Sequence, residues 1–323
     1  MKTNRDPVLL TGATGFVGSN LYPVLRRAGY DVRCATRSVE RARARAPERQ
    51  WAHLDINDRE TLEGALSGCS AAFYLVHSVG TGADYEEREA RAALNFADAA
   101  ARAGLERIVY LGGVKPRTEA SRHLRSRLVT GALLRGGEVA AVELRASMIL
   151  GQGSASWQIL RDIAVRLPVM LSPSWLRNRT EPVGIDDVTV ALLSALELPI
   201  TTSVCYDIPG PEILSFEECI RRVARQVGSD PKIFRVPLLT PRLSSQWLRL
   251  VTSVDYNLAR ELVEGMRADL LARDHSFWTL IDHPDLIAFD EAVRRALLAT
   301  PAPANRIEKL VGNLYREPDV APR

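Results

Sequence analysis

From residue 7 to about residue 150, short apolar runs alternate with longer stretches whose apolar positions recur at helical spacing. The runs predict strands at 7–11, 31–36, 50–54, 70–77, 106–112 and 139–145. The stretches between them predict helices at 16–28, 58–67, 85–103 and 120–135. Strands joined in turn by helices require right-handed crossovers, which build a parallel sheet covered on both faces. The expectation for residues 1–150 is a doubly wound α/β domain that takes its ligand at the carboxyl ends of the strands.

Beyond residue 150 the pattern loosens: Gly151 and Gly153 bracket a turn, and Pro168, Pro173 and Pro182 break the chain into shorter pieces. Helices are predicted at 186–197, 215–228, 243–265 and 289–299, with strand-like pieces at 203–208, 232–237 and 268–273. This reads as a smaller mixed α/β lobe over 151–300, with some segments returning to the first sheet. Trp247, Leu248, Leu250 and Val251 are expected in a packed helix pair or an apolar lid. Residues 301–323, Pro-rich and polar, form a tail expected to be poorly ordered.

Composition narrows the classes of partner. Lys and Arg number 42 against 39 Asp and Glu, a formal net charge of +3, and the apolar fraction is 46%. Such a balance argues against a nucleic-acid coat or a membrane-surface binder and leaves a small molecule as the expected partner. Among the cations only Lys2, Lys115, Lys232 and Lys309 are lysines. Cys34, Cys69, Cys205 and Cys219 show neither paired nor tight spacing, so neither zinc nor a disulfide framework is expected. His275 and His283, near Asp274, Asp282 and Asp285, have no spacing that fixes metal ligands on one face. No stretch approaches the roughly 20 apolar residues of a membrane span, and the expected location is cytoplasmic. Nothing distinguishes a monomer from a homodimer.

The strongest chemical signal is Thr11-Gly12-Ala13-Thr14-Gly15-Phe16-Val17-Gly18, directly after the first strand and opening the first helix. A strand that turns sharply to bring backbone N–H groups against a pyrophosphate needs positions without Cβ at the turn and at the closest approach. A third glycine lets the helix lie near the sheet. Gly12, Gly15 and Gly18 fill those places, which makes the sheet a Rossmann-type dinucleotide site. At the end of the second strand, an acidic residue would bond a ribose 2'-OH and an arginine would accommodate a 2'-phosphate. The strand exit carries Arg37-Ser38 and Asp31 stands too early, so NADP(H) is favoured and NAD(H) stays possible. The competing reading of Arg37 is the start of a solvated arginine stretch with Arg41, Arg43, Arg45 and Arg49. Asp55-Ile56, ending the third strand, is expected beside the adenine.

With these pieces placed, the chain resembles the short-chain dehydrogenases/reductases of the extended-to-atypical type. More narrowly, it resembles the bacterial NAD(P)-binding oxidoreductases, related to the NmrA-like and complex I accessory-subunit-like groups, that carry a DUF2867-type C-terminal region. The residues behind this are Tyr74-Leu75-Val76-His77-Ser78, Asp84-Tyr85-Glu86-Glu87-Arg88, His123-Leu124-Arg125-Ser126-Arg127, Leu167-Pro168-Val169-Met170 and Trp247-Leu248-Arg249. The resemblance implies that Leu75, Val76 and His77 run under the cofactor riboses. It also implies that Leu111, Gly112 and Gly113 stand beside the nicotinamide, and that Arg145-Ala146-Ser147 follows the sixth strand. His77, Ser147 and Trp157 are the candidate substrate-pocket residues.

Members of that superfamily carry a Tyr-x-x-x-Lys pair on the fifth helix, the spacing of four placing both on one face, and a serine ending the preceding strand. The matching positions here hold His123 and Arg127, with Gly112-Gly113 at the serine position. Arg127 can clamp a ribose or phosphate but cannot exchange protons. A permanent cation one turn away disfavours imidazolium, leaving His123 a neutral N–H with which to polarise a carbonyl. Two readings are open. One is an NADP(H)-dependent oxidoreductase acting on an apolar carbonyl, enone or quinone-like molecule, with His123 and Arg127 catalytic. The other is a non-catalytic NAD(P)-binding redox sensor or assembly factor. Sugar-nucleotide epimerisation is a weaker third option, because that chemistry leans on the tyrosine.

Overall fold

The computed structural model describes residues 6–76, 84–166, 169–236, 254 and 256–299. Its first half runs β1 (Val8–Leu10), α1 (Phe16–Arg27), β2 (Val32–Thr36), α2 (Val39–Arg45), β3 (Gln50–His53), α3 (Arg59–Leu66), β4 (Ala71–Tyr74), α4 (Tyr85–Arg102), β5 (Arg107–Gly113), α5 (Arg122–Arg135) and β6 (Ala141–Ala146). The second half runs β7 (Ile149–Leu150), α6 (Ala155–Arg166), β8 (Val169–Pro173), a 3-10 turn (Ser174–Arg177), β9 (Arg179–Thr180), β10 (Val183–Gly184), α7 (Ile185–Glu197), β11 (Val204–Asp207), β12 (Leu214–Ser215), α8 (Phe216–Gln226), β13 (Lys232–Val236), α9 (Tyr256–Gly265), α10 (Ser276–Leu280) and α11 (Phe289–Leu298).

Seven strands form one parallel sheet in the order β11-β6-β5-β4-β1-β2-β3. The doubly wound fold expected from the alternation is therefore present. Strands covered on both faces read as continuous apolar runs: β1 and β4 are buried throughout, whereas the edge strand β3 is not. One core, with Leu10, Leu25, Phe73 and Val109, packs under α1 and α7. The opposite core, with Leu62, Phe96, Ala100 and Leu134, packs under α3, α4 and α5. In α4 the buried face is largely alanine, which lets the helix lie close to the sheet.

The second half contributes to both lobes. β11 extends the sheet beside β6, and α7 with Phe277 and Trp278 joins the first core. Arg107, at the start of β5, donates to the carbonyls of Leu196, Leu198 and Ile200, closing the C-terminal end of α7. A separate core, with Trp157, Phe216, Val223 and Phe289, is built from α6, α8, α9 and α11. α8 shows why its sequence folds there: its buried positions recur three and four apart, and Ser215 accepts from Glu218 N at 3.1 Å as its cap.

Several elements differ from the sequence expectations. The arginine stretch after Ser38 folds into α2, and Arg49 is mostly buried, its guanidinium 4.2 Å from the Tyr22 ring centre and donating to the Ala13 carbonyl at 3.3 Å. α6, absent from the expected elements, forms because Trp157, Leu160, Ile163 and Ala164 make one apolar face. The 268–273 strand does not form beyond a bridge between Thr180 and Leu270. Its N–H groups go instead to carboxylates, Ala272 to Glu181 and Arg273 to Asp207 at 2.7 Å. The expectations for His77, for 237–253 with Trp247, and for 301–323 lie outside the described residues.

Candidate active site

The loop after β1 has the geometry its glycines require. Gly12 has φ +64°, and a Cβ there would lie 2.6 Å from the Leu75 carbonyl oxygen. A Cβ on Gly18 would meet the Gly12 carbonyl oxygen at 2.3 Å, so the helix can approach its own turn only without a side chain. Thr11, fully buried, fixes the loop to the neighbouring strand: its Oγ1 donates to the Phe73 carbonyl at 2.8 Å and accepts from Leu75 N at 2.9 Å. α1 starts at Gly15 with no side-chain cap and no acidic residue in its first turn, an arrangement that favours an anion. Thr14 and Gly15 are exposed. A pyrophosphate therefore fits the cradle, because only backbone borders it at the tight points.

Around this loop stand the other expected cofactor residues. Arg37 is exposed at the exit of β2, and its side chain makes no ion pair among the described residues. Ser38 is anchored through its backbone N to Thr36 Oγ1 at 3.2 Å. Asp55 follows β3 and turns one carboxylate oxygen onto Asn57 N at 3.0 Å. Ile56 packs on the core under α3. Leu75 and Val76 continue from β4.

A cleft of about 250 Å³ opens at the carboxyl ends of β5 and β6. It brings together Phe16 and Val17 of α1, Leu111, Gly112 and Gly113 of β5, His123 and Arg127 of α5, and Ser147. A larger hollow of about 490 Å³ lies against Leu105, Arg107 and Val139, where β5 begins, at the end of the sheet that does not bind ligands in such folds. His123 sits in the first turn of α5, whose cap Ser121 accepts from Leu124 N at 3.4 Å. Arg127, one turn on, donates to the Leu111 carbonyl and lies 5.8 Å from the Tyr110 ring centre, so part of its fork already braces the end of β5. Ser147 Oγ donates to the Glu181 carbonyl at 2.8 Å and accepts from Thr180 Oγ1 at 3.0 Å. Trp157 needs correction: it is 1% exposed inside the second lobe's core and does not line the cleft, because α6 turns that face inward.

Sequence reasoning misses the support beneath the carboxyl end of β5. Glu143 of β6 is fully buried and accepts from Arg135 Nε and Arg145 Nε, both at 2.8 Å. A Cβ on Gly112 would come 3.0 Å from that carboxylate, and one on Gly131 of α5 would come 2.3 Å from it. A Cβ on Gly113 would meet the Leu124 methyl at 2.5 Å. The room for a side chain at Gly112 and Gly113 is thus taken by Glu143 and Leu124. A carboxylate in the apolar strand Ala141-Val-Glu-Leu and a glycine inside α5 are the signals that could have found it. His275 and His283 face different carboxylates, Glu181 at 3.7 Å and Asp187 at 3.0 Å.

No helix among the described residues is long and apolar enough to cross a membrane. Comparison with known proteins agrees with the loop and the sheet. The chain is 24% identical over 222 residues to the mitochondrial NADH dehydrogenase [ubiquinone] 1 alpha subcomplex subunit 9 of Dictyostelium discoideum, a match covering 64% of this chain and only 60% of that protein. It is 24% identical over 246 residues to the ceramide reductase of Caulobacter vibrioides, covering 72% of this chain and 74% of that one. Among solved structures, the Citrobacter sp. triphenylmethane reductase complexed with NADP(H) superposes with a TM-score of 0.71 at 18% identity, over 90% of this chain and 99% of that one. Residues 8–121 match the model of the NAD dependent epimerase/dehydratase family.

Proposed function

We propose that the protein is an NADP(H)-dependent oxidoreductase acting on an apolar carbonyl, enone or quinone-like small molecule. The observation that carries this reading is the cleft itself, which joins the first turn of α1, the end of β5 and His123 with Arg127 under mostly apolar walls. Gly12, Thr14, Gly15, Phe16, Val17 and Gly18 would hold the pyrophosphate, and Arg37 with Ser38 the 2'-phosphate. Asp55 and Ile56 would flank the adenine, while Leu75, Val76 and His77 would run along the riboses. Leu111, Gly112 and Gly113 would border the nicotinamide, which when bound supplies or accepts hydride.

The chain's own residues do the rest. Arg127, already fixed to Leu111, clamps a ribose hydroxyl with the remaining N–H groups of its fork. Neutral His123 donates an N–H hydrogen bond to the substrate oxygen and polarises the carbonyl, and the alkoxide left by hydride addition takes its proton from solvent. The apolar walls exclude water from the reacting carbon. Two of the proteins it resembles are named reductases, one of them complexed with NADP(H), which supports the same reading. NADPH oxidation against a carbonyl, enone and quinone panel tests it: His123→Ala should lower kcat about a hundredfold with NADPH affinity kept within about twofold. Binding of NADPH with no turnover across the panel would count against the proposal.

A further inference from the structure

The cleft has one ionisable group that neither the cofactor nor the hydride step uses. Glu261 of α9 lines it opposite apolar side chains such as Phe216, Leu262 and Leu270. Its side chain is 18% exposed, and its ion-pair partner is Arg260, the next residue in the chain, at 3.5 Å and with half of its own surface in water. A carboxylate so placed has given up most of its hydration for a long contact with Arg260 and the more distant charge of Arg122, which is costly unless a donor completes it.

A second polar group lies within its electrostatic reach. Tyr85, at the start of α4, is 4% exposed, and its hydroxyl is buried without a hydrogen-bond partner among the described residues. Burial pushes the phenol up to about 12, and Glu261 is the strongest of the charges acting in the same direction. The Arg122 guanidinium lies 4.4 Å from the Tyr85 ring centre but is bonded to Glu86 at 3.0 Å. Glu261 thus acts electrostatically on a Tyr85 hydroxyl that has no hydrogen-bond partner among the described residues. Other polar groups of the cleft are engaged: Ser147 with Glu181 and Thr180, Ser154 with the Ile149 carbonyl, and Arg127 with Leu111.

We propose that Glu261, backed by Tyr85, is a specificity-determining residue that receives a hydrogen-bond donor, a hydroxyl or an ammonium, carried by an otherwise apolar substrate in addition to its reacting oxygen. The proposal rests on the oxidoreductase reading for the reacting end alone. It narrows the substrate class from apolar carbonyl compounds to hydroxylated or aminated ones, because a cleft with an incomplete acceptor rejects a molecule that leaves the acceptor unpaired.

The test uses the full chain loaded with NADP+ and a series of aryl alkyl ketones of equal length ending in a hydroxyl, an ammonium or a methyl group. Binding is measured by calorimetry and turnover with NADPH. The wild type should bind the hydroxyl or ammonium ketone about tenfold or more tighter than the methyl one. Glu261→Leu should abolish that preference and bind the methyl ketone tighter than the wild type does, because no acceptor is then left unpaired. Glu261→Gln, which keeps size and an acceptor oxygen, should retain a preference for hydroxyl and lose one for ammonium, separating the two donors. Tyr85→Phe should reduce the preference less than Glu261→Leu does. Equal affinities in the wild type, or an unchanged ranking in Glu261→Leu, would overturn the proposal. A Glu261-dependent preference in binding with no turnover would uphold the subsite and refute the oxidoreductase reading; turnover without preference would do the reverse.

Discussion

Gly12 and Arg37 are the single residues at which local chemistry puts the proposed cofactor site to the test. Gly12 combines a left-handed backbone with a carbonyl oxygen 2.6 Å from where a Cβ would stand. Gly12→Ala should therefore cost about 2 kcal/mol or more from backbone strain and overpacking, and it should displace the loop from Leu75. Thermal unfolding with and without NADPH checks both effects: a lower Tm alone, and a smaller rise on adding the cofactor. Arg37 tests the cofactor choice independently of stability, since it is exposed and without an ion-pair partner among the described residues. Arg37→Ala should weaken NADPH binding about tenfold or more, the worth of a charge-assisted bond to phosphate, and leave NADH binding unchanged. Equal losses for both cofactors would move the 2'-phosphate contact elsewhere.

At the scale of elements, the buried carboxylate of Glu143 sets how close α5 lies to the sheet, and so where His123 and Arg127 stand. Gly131 is the contact point, and Gly131→Ala should push the helix away and cost about 1–3 kcal/mol, read as a fall in the denaturation midpoint. Removing one cation, as in Arg135→Ala, leaves the buried charge half satisfied and should also destabilise. These features mark the boundary of what can be read from the chain. Strands β1 to β6 and helices α1, α3, α4 and α5 follow from periodicity, because each buries a regular face. The glycines of the phosphate loop are equally legible, since each answers to a local steric need. The pairing of Glu143 with Arg135 and Arg145 depends on strand register that no short-range pattern encodes. The 268–273 segment has the composition of a strand, yet its N–H groups bind the Glu181 and Asp207 carboxylates, a tertiary choice that local propensity does not contain. Trp157 reads as a pocket residue only until the inward face of α6 is known, and helical periodicity alone does not say which lobe that face meets.

At the scale of the whole molecule, the smaller lobe is tied together by Arg222. It bridges Glu212, and Asp290 at 2.7 Å, and so links the turn before β12, α8 and α11. Its hydrogen bonds hold both carboxyl groups below their ordinary values of 4.5 and 3.8. A lowered folded-state value contributes stability that is present above the unfolded value and lost as pH falls through the folded one. Glu181 has the opposite sign: burial raises it, so its contribution is present in acid and lost as pH rises. The denaturation midpoint should accordingly drop on acidification from pH 6 to pH 3, and Arg222→Met should shallow that drop. An unchanged acid slope in the variant would assign the pH dependence elsewhere. The central proposal is that the cleft with His123 and Arg127 moves hydride between NADP(H) and an apolar carbonyl compound. The most direct measurement is mass-spectrometric detection of deuterium transferred from stereospecifically labelled NADPH to the ketone series. Label should arrive from one face of the nicotinamide only, on the carbinol carbon, with a large loss in His123→Ala; tight cofactor binding with no label in any product would contradict the claim.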